Sequence, residues 1–591
     1  MKHPSSLEHR MTVPITRRIF PPEAYERLLS EEVPEVLARI YAARGVTHAD
    51  QMKMGLSKLL PLDLLGLSQC TERLLAAIDH REPICIVGDY DVDGGSATSL
   101  LVSTLREWDA SVSYLLPNRF TQGYGLSPAL AEQAAEQGAK LLITVDNGIA
   151  AISGVERARE LGLDVIVTDH HLPGPFLPQT PYILNPNQPG CQFPSKSLCG
   201  VGVAYYLVAS VWRQRVLRKQ SDISDVTPQK LLDLVALGTV ADVVSLDANN
   251  RRLVFAGLRQ IREGKARPGI MALLEVAGID HKKIVERDLG FSLGPRLNAA
   301  GRLEDMYIGV ELLLASSIDE ALPFAQRLDQ LNRERRTIEH ERLEATIANM
   351  ESEPDLSLPA IVVSDPNGHE GVVGLIAGRL KERYYRPAIV FAPGDDPDIL
   401  KGSARSVPGV HIRDLLAQVD AIHPSLILRF GGHAMAAGLT IKRSRFADFR
   451  ARFLQVAVSS IAKETLQPVS ESDGHLPIQL LTVNFTRQLE QLGPWGQSFP
   501  SPSFDGRFLV LESRRVGKDG QTLRLRVRPV DQPDVENLPV LTVVQFRCGD
   551  RPDPKVQTIV RLHFHLQVNW YQGVDSLQLL LLNWQESQEP S

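Results

Sequence analysis

The chain has 591 residues, and at about 150 residues per domain this length predicts roughly four domains. Its content of 43% hydrophobic and 23% charged residues is that of an ordinary folded chain, which excludes collagenous, largely disordered and disulfide-scaffold classes. The formal charge of −6 argues against a nucleic-acid partner if it is taken alone. Net charge averages over domains, however, so this inference stays open.

The five cysteines are odd in number and none is spaced as Cys-x-x-Cys, so neither a disulfide framework nor a zinc ribbon is expected. The first twenty residues lack the apolar core of a signal peptide, and no uncharged apolar stretch of about 18 residues occurs. These features predict a soluble cytoplasmic protein in a reducing compartment, with no membrane partner.

Residues 84–255 alternate short apolar runs, such as ICIV, LLITV and DVIVT, with helical patterns. This is the βαβ rhythm of a mostly parallel sheet, in which ligands bind outside the carboxyl ends of the strands. Polar residues follow these runs at Asp89-Tyr90-Asp91-Val92-Asp93, at Asp146-Asn147-Gly148 and at Asp169-His170-His171. The pattern therefore predicts carboxylates and imidazoles around one crevice.

Downstream of this sheet, helical spacing amid dense charge predicts a long exposed helix. A second α/β pattern begins with AIVVS and PAIVFA, and short alternating runs near the C-terminus predict a small all-β domain, for which we expect an OB-like barrel. The predicted boundaries are an N-terminal segment at 1–75, an α/β domain at 76–304, a connecting helix at 305–355, a smaller α/β domain at 356–465 and the barrel at 466–591.

The acidic set is completed by Asp242, which ends the apolar run LLDLVALGTVAD. Several carboxylates mixed with one or two imidazoles suit Mn²⁺ and related hard cations. Two such ions about 4 Å apart can activate water and stabilise the leaving oxygen of a phosphoryl transfer. The alternative for any single aspartate is a loop or a helix N-cap. Carboxylates at successive strand ends favour the metal site.

Five motifs, GDYDVDG, PNR (117–119), VDNG (145–148), DHH (169–171) and ALGTVADVV (236–244), resemble the DHH phosphoesterase superfamily. The further motifs NPN, GVGVA, GPRLNAAGR, GHEGVVG, GSARS and GGHAMAAGL resemble its bacterial branch of single-strand exonucleases. The match runs in unbroken order over about residues 80–440. It implies a catalytic DHH domain followed by a substrate-gripping DHHA1 domain.

The resemblance implies two Mn²⁺ or Mg²⁺ ions and assigns their protein ligands. Asp146 would bridge the ions, His171 would be a further ligand or would polarise the scissile phosphate, and Asp89 is the least certain member. Several superfamily members carry a histidine where this chain has Val87, which leaves the ligands of the first ion open. The implied ligands are Asp91, Asp93, Asp146, His170, His171 and Asp242.

Cationic and aromatic residues near the strand ends are candidate DNA contacts. Arg119 can pair with a phosphate and assist catalysis, and Tyr124 can stack on a base or pack against its own loop. Arg296 and Arg302 lie among small residues that let a backbone approach a ligand, although a helix-capping segment explains them equally well.

The smaller α/β domain combines three glycine-rich elements that together favour a phosphate cradle over plain turns. GHEG precedes an apolar helix whose free N–H groups can receive a phosphate. GSARS and GGHAM supply hydroxyl, guanidinium and imidazole groups. The candidate residues of the cradle are His369, Ser403, Arg405, Ser406 and His433.

In the predicted barrel, Arg524, Arg526 and Arg528 alternate with apolar residues and so share one strand face. This basic face suits a single-stranded DNA backbone, and the alternative is a charged edge that resists aggregation. The aromatic residues of this region can stack on bases but are more often core. They are Trp495, Phe504, Phe508, Trp570 and Tyr571.

Together, the residues and the resemblance predict a 5′→3′ exonuclease that releases 5′-mononucleotides from single-stranded DNA in repair and recombination. A helicase and a single-strand-binding protein are the expected partners, and the chain is expected to be a monomer. One alternative is a superfamily enzyme for short oligonucleotides, cyclic dinucleotides or pyrophosphate, which would need neither the long helix nor the barrel. The other is a non-catalytic scaffold, which the intact aspartates oppose.

Overall fold

The structure, a computed structural model, describes residues 13–118, 124–218, 227–349, 357–394, 396–517, 520–531, 538–546, 548–549, 552–571 and 574–587. Among these residues, none of the helices combines the length and the apolar character needed to cross a bilayer. The five cysteines are free and buried.

The N-terminal segment braces distant parts of the chain. Its elements are β1 (Ile15–Arg17), α1 (Pro22–Ser30), α2 (Glu35–Ala42) and α3 (Leu67–Asp79). Strand β1 pairs in parallel with residues 470–472, and Arg44 forms a buried ion pair with Asp473 at 2.7 Å. The segment therefore ties the region before the first sheet to the region before the barrel.

The first α/β domain is built on a five-stranded, fully parallel sheet in the order β3-β2-β4-β5-β6. The central strands consist of buried aliphatic residues because helices cover both faces of the sheet. The elements are β2 (Ile84–Val87), α4 (Val92–Glu107), β3 (Val112–Leu115), α5 (Pro128–Glu136), β4 (Leu141–Val145), α6 (Ile152–Glu160), β5 (Asp164–Thr168) and β6 (Tyr182–Leu184).

A helical layer completes this domain and packs against α4. A π-helix at Leu289–Leu293 leads directly into α12. The helices are α7 (Gly200–Leu217), α8 (Leu232–Ala241), α9 (Ala248–Arg262), α10 (Pro268–Ala277), the short α11 (Glu286–Asp288), α12 (Gly294–Leu303) and α13 (Tyr307–Leu314).

The predicted connecting helix is α14 (Ile318–Asn349), which starts after α13. It contains Pro323 just past its first turn, where proline removes one backbone hydrogen bond of the helix. The second α/β domain has a sheet in the order β10-β11-β9-β8-β7, with β7 and β8 parallel and the other pairs antiparallel. Its elements are β7 (Ile361–Ser364), α15 (Glu370–Tyr384), β8 (Ala388–Pro393), β9 (Ile399–Arg405), α16 (Ile412–Ile422), β10 (Arg429–Gly432), β11 (Ala436–Lys442) and α17 (Phe446–Ser460).

The C-terminal region contains the predicted barrel, which closes in the order β13-β14-β15-β17-β16. Five strands with one parallel pair, β15 with β17, match the OB-like expectation. The elements are β12 (Ser470–Ser472), α18 (Val483–Gln491), β13 (Phe504–Val516), β14 (Thr522–Pro529), β15 (Leu541–Phe546), β16 (Ile559–Tyr571) and β17 (Val574–Glu586).

Candidate metal centre and nucleic-acid cleft

The carboxyl ends of β2, β4 and β5 bring the predicted acidic residues together. Asp91 is the N-cap of α4, and its side chain accepts hydrogen bonds from the backbone N–H groups of Asp93 at 2.9 Å and Gly94 at 3.1 Å. Asp146 directly follows β4, and Asp242 ends α8. Helix capping and ligand presentation are therefore compatible roles for Asp91, rather than alternatives.

Asp93 is fixed by the N-terminus of α7. Its two carboxylate oxygens accept hydrogen bonds from the backbone N–H groups of Gly200 at 2.5 Å and Val201 at 2.8 Å. Gly200 is needed here, since a Cβ at this position would lie 2.5 Å from that of Asp146. Burial, together with the charge of Asp91, raises the pKa of Asp93 to about 7.

His170 lies among three of the carboxylates. Its Nε2 is 3.0 Å from Asp146 Oδ1, 3.5 Å from Asp242 Oδ2 and 3.9 Å from Asp93 Oδ2. Burial, with the neighbouring His171, lowers the pKa of His170 to about 3, so its imidazole is neutral and able to bind a metal. These separations are typical of atoms that surround one cation.

Two buried atoms of this cluster indicate that a cation belongs there. His170 Nε2 and Asp146 Oδ1 form no hydrogen bond within the described part of the chain, and buried polar atoms normally have a partner. Burial and the charges of neighbouring aspartates raise the pKa of Asp146 and of Asp242 well above the usual range. A divalent ion would satisfy the open atoms and neutralise the repulsion.

Asp146 belongs to more than one group of candidate ligands. Donor atoms lie within 4.8 Å of one another in Asp89, Asp91 and Asp146, and again in Asp146, His170 and His171. A third such group consists of Asp93, His170 and Asp242. Asp146 is common to two of the three groups, so it would be the carboxylate able to serve two adjacent cations. Val87, in place of the superfamily histidine, is buried in the core and offers no ligand.

Asp169 orients His171, a role that the sequence did not reveal. Its Oδ1 lies 2.8 Å from His171 Nδ1 and accepts hydrogen bonds from the N–H groups of His170 and His171, and its Oδ2 accepts one from Ile149 N–H. Burial alone would lower the pKa of His171, but the hydrogen bond and the charge of Asp169 outweigh it and raise the pKa to about 9. Asp169 therefore favours the protonated form of His171.

Asn147 holds the strand ends in register, which was also not evident from the sequence. Its side-chain amide is fully buried and donates hydrogen bonds to the carbonyl groups of Val87, Gly88 and Val145, while its oxygen accepts one from Leu126 N–H. This network supports the adjacent Asp146, whose φ of +61° is unusual for a residue other than glycine.

Tyr124 contacts the same residues through its hydroxyl group. The hydroxyl donates a hydrogen bond to the carbonyl oxygen of Asp146 at 2.8 Å and lies 3.3 Å from both ring nitrogens of His171. Its ring packs edge-on against Tyr90 and His171, and the residue is 48% exposed. The hydroxyl group is thus anchored and the ring borders the cleft, where stacking on a base stays a prediction.

The second α/β domain faces the metal centre across a cleft of about 300 Å³. His433 lies against His171, with ring centroids 6.1 Å apart, and Arg302 donates a hydrogen bond to Gly371 O at 3.1 Å. Gly374 lets the guanidinium group of Arg405 lie against α15, because a Cβ at position 374 would be only 2.9 Å from Arg405 Nη2. The cleft is lined by Tyr90, Tyr124, Arg302, Glu370, Lys401, Ser403, Arg405 and neighbouring glycines.

Several residues predicted to contact DNA make contacts within the protein instead. Ser406 is buried and its hydroxyl donates to Val410 O, so it does not reach the cleft. Arg296 forms an ion pair with Asp329 of α14 at 2.9 Å, which fits the structural alternative. His369 is the N-cap of α15 and accepts from Gly371 N–H. Lys401 lines the cleft without having been predicted, and it pairs with Glu370 at 2.6 Å.

On the barrel, the arginines of β14 are exposed and the intervening residues are buried, as the alternation predicts. Arg526 pairs with Glu512 on β13 at 2.9 Å. Trp495, Phe504 and Phe508 are buried and therefore belong to the core rather than to a stacking surface. The side chains of Trp570 and Tyr571, together with the whole of Arg119, lie outside the described residues.

The parallel sheet and its shared carboxylate and imidazole ligands define a metal-dependent phosphoesterase of the DHH class. Family models agree: the DHH family, N-terminal domain, matches residues 83–239, the DHHA1 domain matches 358–459, and the RecJ OB domain matches 472–583. The single-stranded-DNA-specific exonuclease RecJ of Dickeya dadantii (strain 3937) is 46% identical over 566 residues, which cover 94% of this chain and 97% of that protein. The chain belongs to the RecJ family.

Solved structures give the same result. RecJ from Thermus thermophilus in complex with Mn²⁺ has a TM-score of 0.80 at 28% identity, over 98% of this chain and 80% of that one. Its complex with Mg²⁺ has a TM-score of 0.75 at 26% identity, over 98% and 79%. These matches confirm the fold class, and the two ions are those that the acidic cluster was predicted to hold.

Proposed function

We propose that the chain hydrolyses the terminal phosphodiester of single-stranded DNA from the 5′ end and releases 5′-mononucleotides with the help of two divalent ions. The observation that carries the proposal is the position of Asp146, whose carboxylate is grouped with those of Asp89 and Asp91 and also lies 3.0 Å from His170 Nε2. Two adjacent cations supply an activated water and charge stabilisation for the leaving oxygen. This chemistry matches the exonuclease activity for which the curated relatives are named.

The residues around the ions have distinct parts in this proposal. Asp91, Asp93, Asp146, His170 and Asp242 hold the ions, with Asp89 as an additional carboxylate beside Asp91 and Asp146. The cationic His171, held by Asp169, faces the scissile phosphate and donates a hydrogen bond to it. A positive donor aimed at a phosphate oxygen stabilises the charge that develops there. Arg119 is proposed for the same role from its motif.

The cleft and the barrel grip the strand outside the reacting phosphate. Arg302, Lys401, Ser403 and Arg405 surround the cleft with donors for phosphate oxygens. The exposed arginines of β14 provide a second backbone contact on the barrel. The ring centroids of His433 and His171 lie 6.1 Å apart, so the two domains leave no room for a duplex at this point.

The cellular setting follows from a substrate that must first be unwound. We expect a helicase to open the ends, a single-strand-binding protein to accompany the displaced strand, and the reaction to serve repair and recombination in the cytoplasm. We also expect a monomer, because one chain carries both walls of the cleft: His171 and His433 face each other from its two α/β domains.

The proposal is tested with a single-stranded oligonucleotide labelled at either end and incubated with the protein and Mn²⁺. A label at the 5′ end should leave at once as a mononucleotide, whereas a label at the 3′ end should remain on progressively shorter strands. The opposite order would refute the polarity. Cleavage of dinucleotides alone would favour an enzyme for short substrates, and co-migration of the chain with a dimer standard in size-exclusion chromatography would refute the monomer.

A further inference from the structure

Two apolar side chains beside the metal centre leave most of their surface to solvent. Val243 directly follows the candidate ligand Asp242 and is 62% exposed, and Phe291, on the π-helix, is 76% exposed. A single exposed apolar residue needs no explanation. Here, however, one of them follows Asp242 in the chain and the other lies on the π-helix that packs against α8. The Asp242 side chain is itself 24% exposed, whereas that of Asp93 is fully buried.

Packing connects Phe291 to the end of α8 that presents Asp242. A Cβ on Gly290 would lie 3.2 Å from Val240 Cγ1, and one on Gly294 would lie 3.4 Å from Ala241 Cβ. The π-helix therefore rests on the last turn of α8. Phe291 directly follows Gly290, so these close contacts fix its backbone next to the turn that leads into Asp242.

The local backbone conformation costs stability without any gain from burial. Val243 has a φ of +59°, and a β-branched residue in this left-handed region is strained. A π-helix is rare and occurs mainly at functional sites. Strain of this kind persists where function requires it. Neither apolar side chain recovers the cost by packing, because both remain exposed.

We propose that Phe291 and Val243 form a platform for an unpaired base of the DNA strand whose phosphate lies at the metal centre. The inference rests on the proposed function and adds a substrate-positioning contact to it. A strand held by its phosphate beside Asp242 carries its next base to the surface next to that residue. This surface is apolar, so it suits the face of a base and not a phosphate.

Such a platform also bears on strand selectivity. Every base has a π-face, so stacking on Phe291 is independent of sequence. A base within a duplex is already stacked on both sides and paired at its edge, and it cannot lie on the platform without being unpaired. The contact therefore favours single strands without reading any base edge.

The test compares Phe291→Ala and Phe291→Trp with a control, Leu217→Ala. Leu217 is also exposed, at 66%, and it ends α7, roughly 25 Å along the helix axis from the end that holds Asp93. We expect Phe291→Ala to weaken oligonucleotide binding about tenfold, which corresponds to about 1.4 kcal/mol, and Phe291→Trp to bind at least as well as wild type. Leu217→Ala should bind as wild type does.

Binding is measured in an Asp146→Ala background, in which hydrolysis is blocked, with oligonucleotides that carry one abasic site at successive positions from the 5′ end. At one position, removing the base should weaken binding by the protein that retains Phe291 about as much as Phe291→Ala weakens binding to intact DNA. When the Phe291→Ala protein binds that abasic DNA, the two losses of affinity should not add. Equal affinities for intact DNA with and without the Phe291→Ala substitution, or additive losses at every position, would overturn the platform.

The wild-type protein distinguishes this failure from failure of the proposed function. If wild-type protein with Mn²⁺ shortens the strand from its 5′ end and Phe291→Ala does so with an unchanged KM, only the platform is wrong. If wild-type protein leaves the strand intact, the proposed function is wrong. Thermal melting should be unchanged in Phe291→Ala because the side chain is exposed, so a rise in KM then reports the lost contact.

Discussion

The carboxylate of Asp169 lies 2.8 Å from Nδ1 of His171 and also accepts hydrogen bonds from the N–H groups of both histidines that follow it. Asp169 is 1% exposed, so its charge acts in a dry environment. The three residues of the DHH motif therefore have separate tasks. His170 faces the carboxylate cluster, His171 faces the cleft, and Asp169 fixes the orientation of both.

Replacement of Asp169 by Asn should reduce kcat strongly. The Asn side chain keeps the approximate shape but removes the charge that favours the cationic His171, so phosphate stabilisation is lost. A contribution of the size typical for a positioned proton donor predicts a fall of about 100-fold. Steady-state kinetics on an oligonucleotide with Mn²⁺ measures it, with His171→Gln as the comparison. A kcat within twofold of wild type would contradict the assigned role.

Replacement of Asp146 by Ala should abolish turnover while leaving DNA binding largely intact, since the bridging ligand is lost but the cleft cations remain. It should also abolish the stabilisation of the fold by Mn²⁺. For wild type, Mn²⁺ at 100 times its Kd should raise the free energy of unfolding by about 2.7 kcal/mol. Thermal melts with Mn²⁺ and with EDTA measure this difference. An equal Mn²⁺-dependent shift in both proteins would refute the ligand assignment.

The sequence predicted the sheet and most of the acidic cluster because both depend on local patterns. Buried parallel strands are continuous apolar runs, and the residues after Val87, Val145 and Thr168 must meet at one sheet edge. Asp242 joined the acidic set as the end of an apolar run, but only the resemblance implied that it binds the same ions, since a helix C-terminus nearly a hundred residues beyond β4 has no periodic link to the strand ends.

Other features depend on tertiary contacts that no local pattern contains. The pairing of β1 with β12 joins residues about 450 positions apart, so the N-terminal segment could not be assigned. Ser406 illustrates a missed local signal. Ser403 and Arg405 alternate with the buried Ala404 along β9, and the side chain of Ser406 is buried just beyond the strand.

The triple replacement Arg524→Ala, Arg526→Ala, Arg528→Ala should weaken binding of single-stranded DNA and flatten its salt dependence. Each lost phosphate contact reduces the slope of log K against log salt by about 0.7. Because Arg526 is paired with Glu512, we expect Arg524 and Arg528 to account for most of the change. The matched control is Arg515→Ala, whose guanidinium pairs with Asp553 on the same barrel. An unchanged salt slope would favour the alternative interpretation, in which the β14 arginines form a charged edge that resists aggregation.

Replacement of Asp505 by Asn should loosen the attachment of the N-terminal segment to the barrel. The Asp505 side chain is 1% exposed and receives Arg17 of β1 at 3.2 Å, Arg561 of β16 at 2.8 Å and the hydroxyl of Ser472. Loss of hydrogen bonds between charged groups predicts a decrease of about 2 kcal/mol in the free energy of unfolding at pH 7. Urea unfolding measures it, and the exposed Glu471→Gln serves as the control.

The pH dependence of the free energy of unfolding, compared between wild type and Asp505→Asn, tests whether the charge of Asp505 is responsible. Burial alone would raise the pKa of Asp505, but the hydrogen bonds from Arg17, Ser472 and Arg561 outweigh it and hold the pKa below its usual value. A depressed pKa contributes stability that is fully present above the unfolded-state pKa of about 3.9. This stability is lost progressively as the pH falls from there through the lower folded-state pKa. The stability difference between wild type and Asp505→Asn should therefore be constant between about pH 6 and 8, since the Asp505 carboxylate is ionised throughout that range, and should shrink below about pH 4. A difference as large at about pH 3 as at pH 7 would show that packing, rather than the charge of Asp505, holds β1 against the barrel.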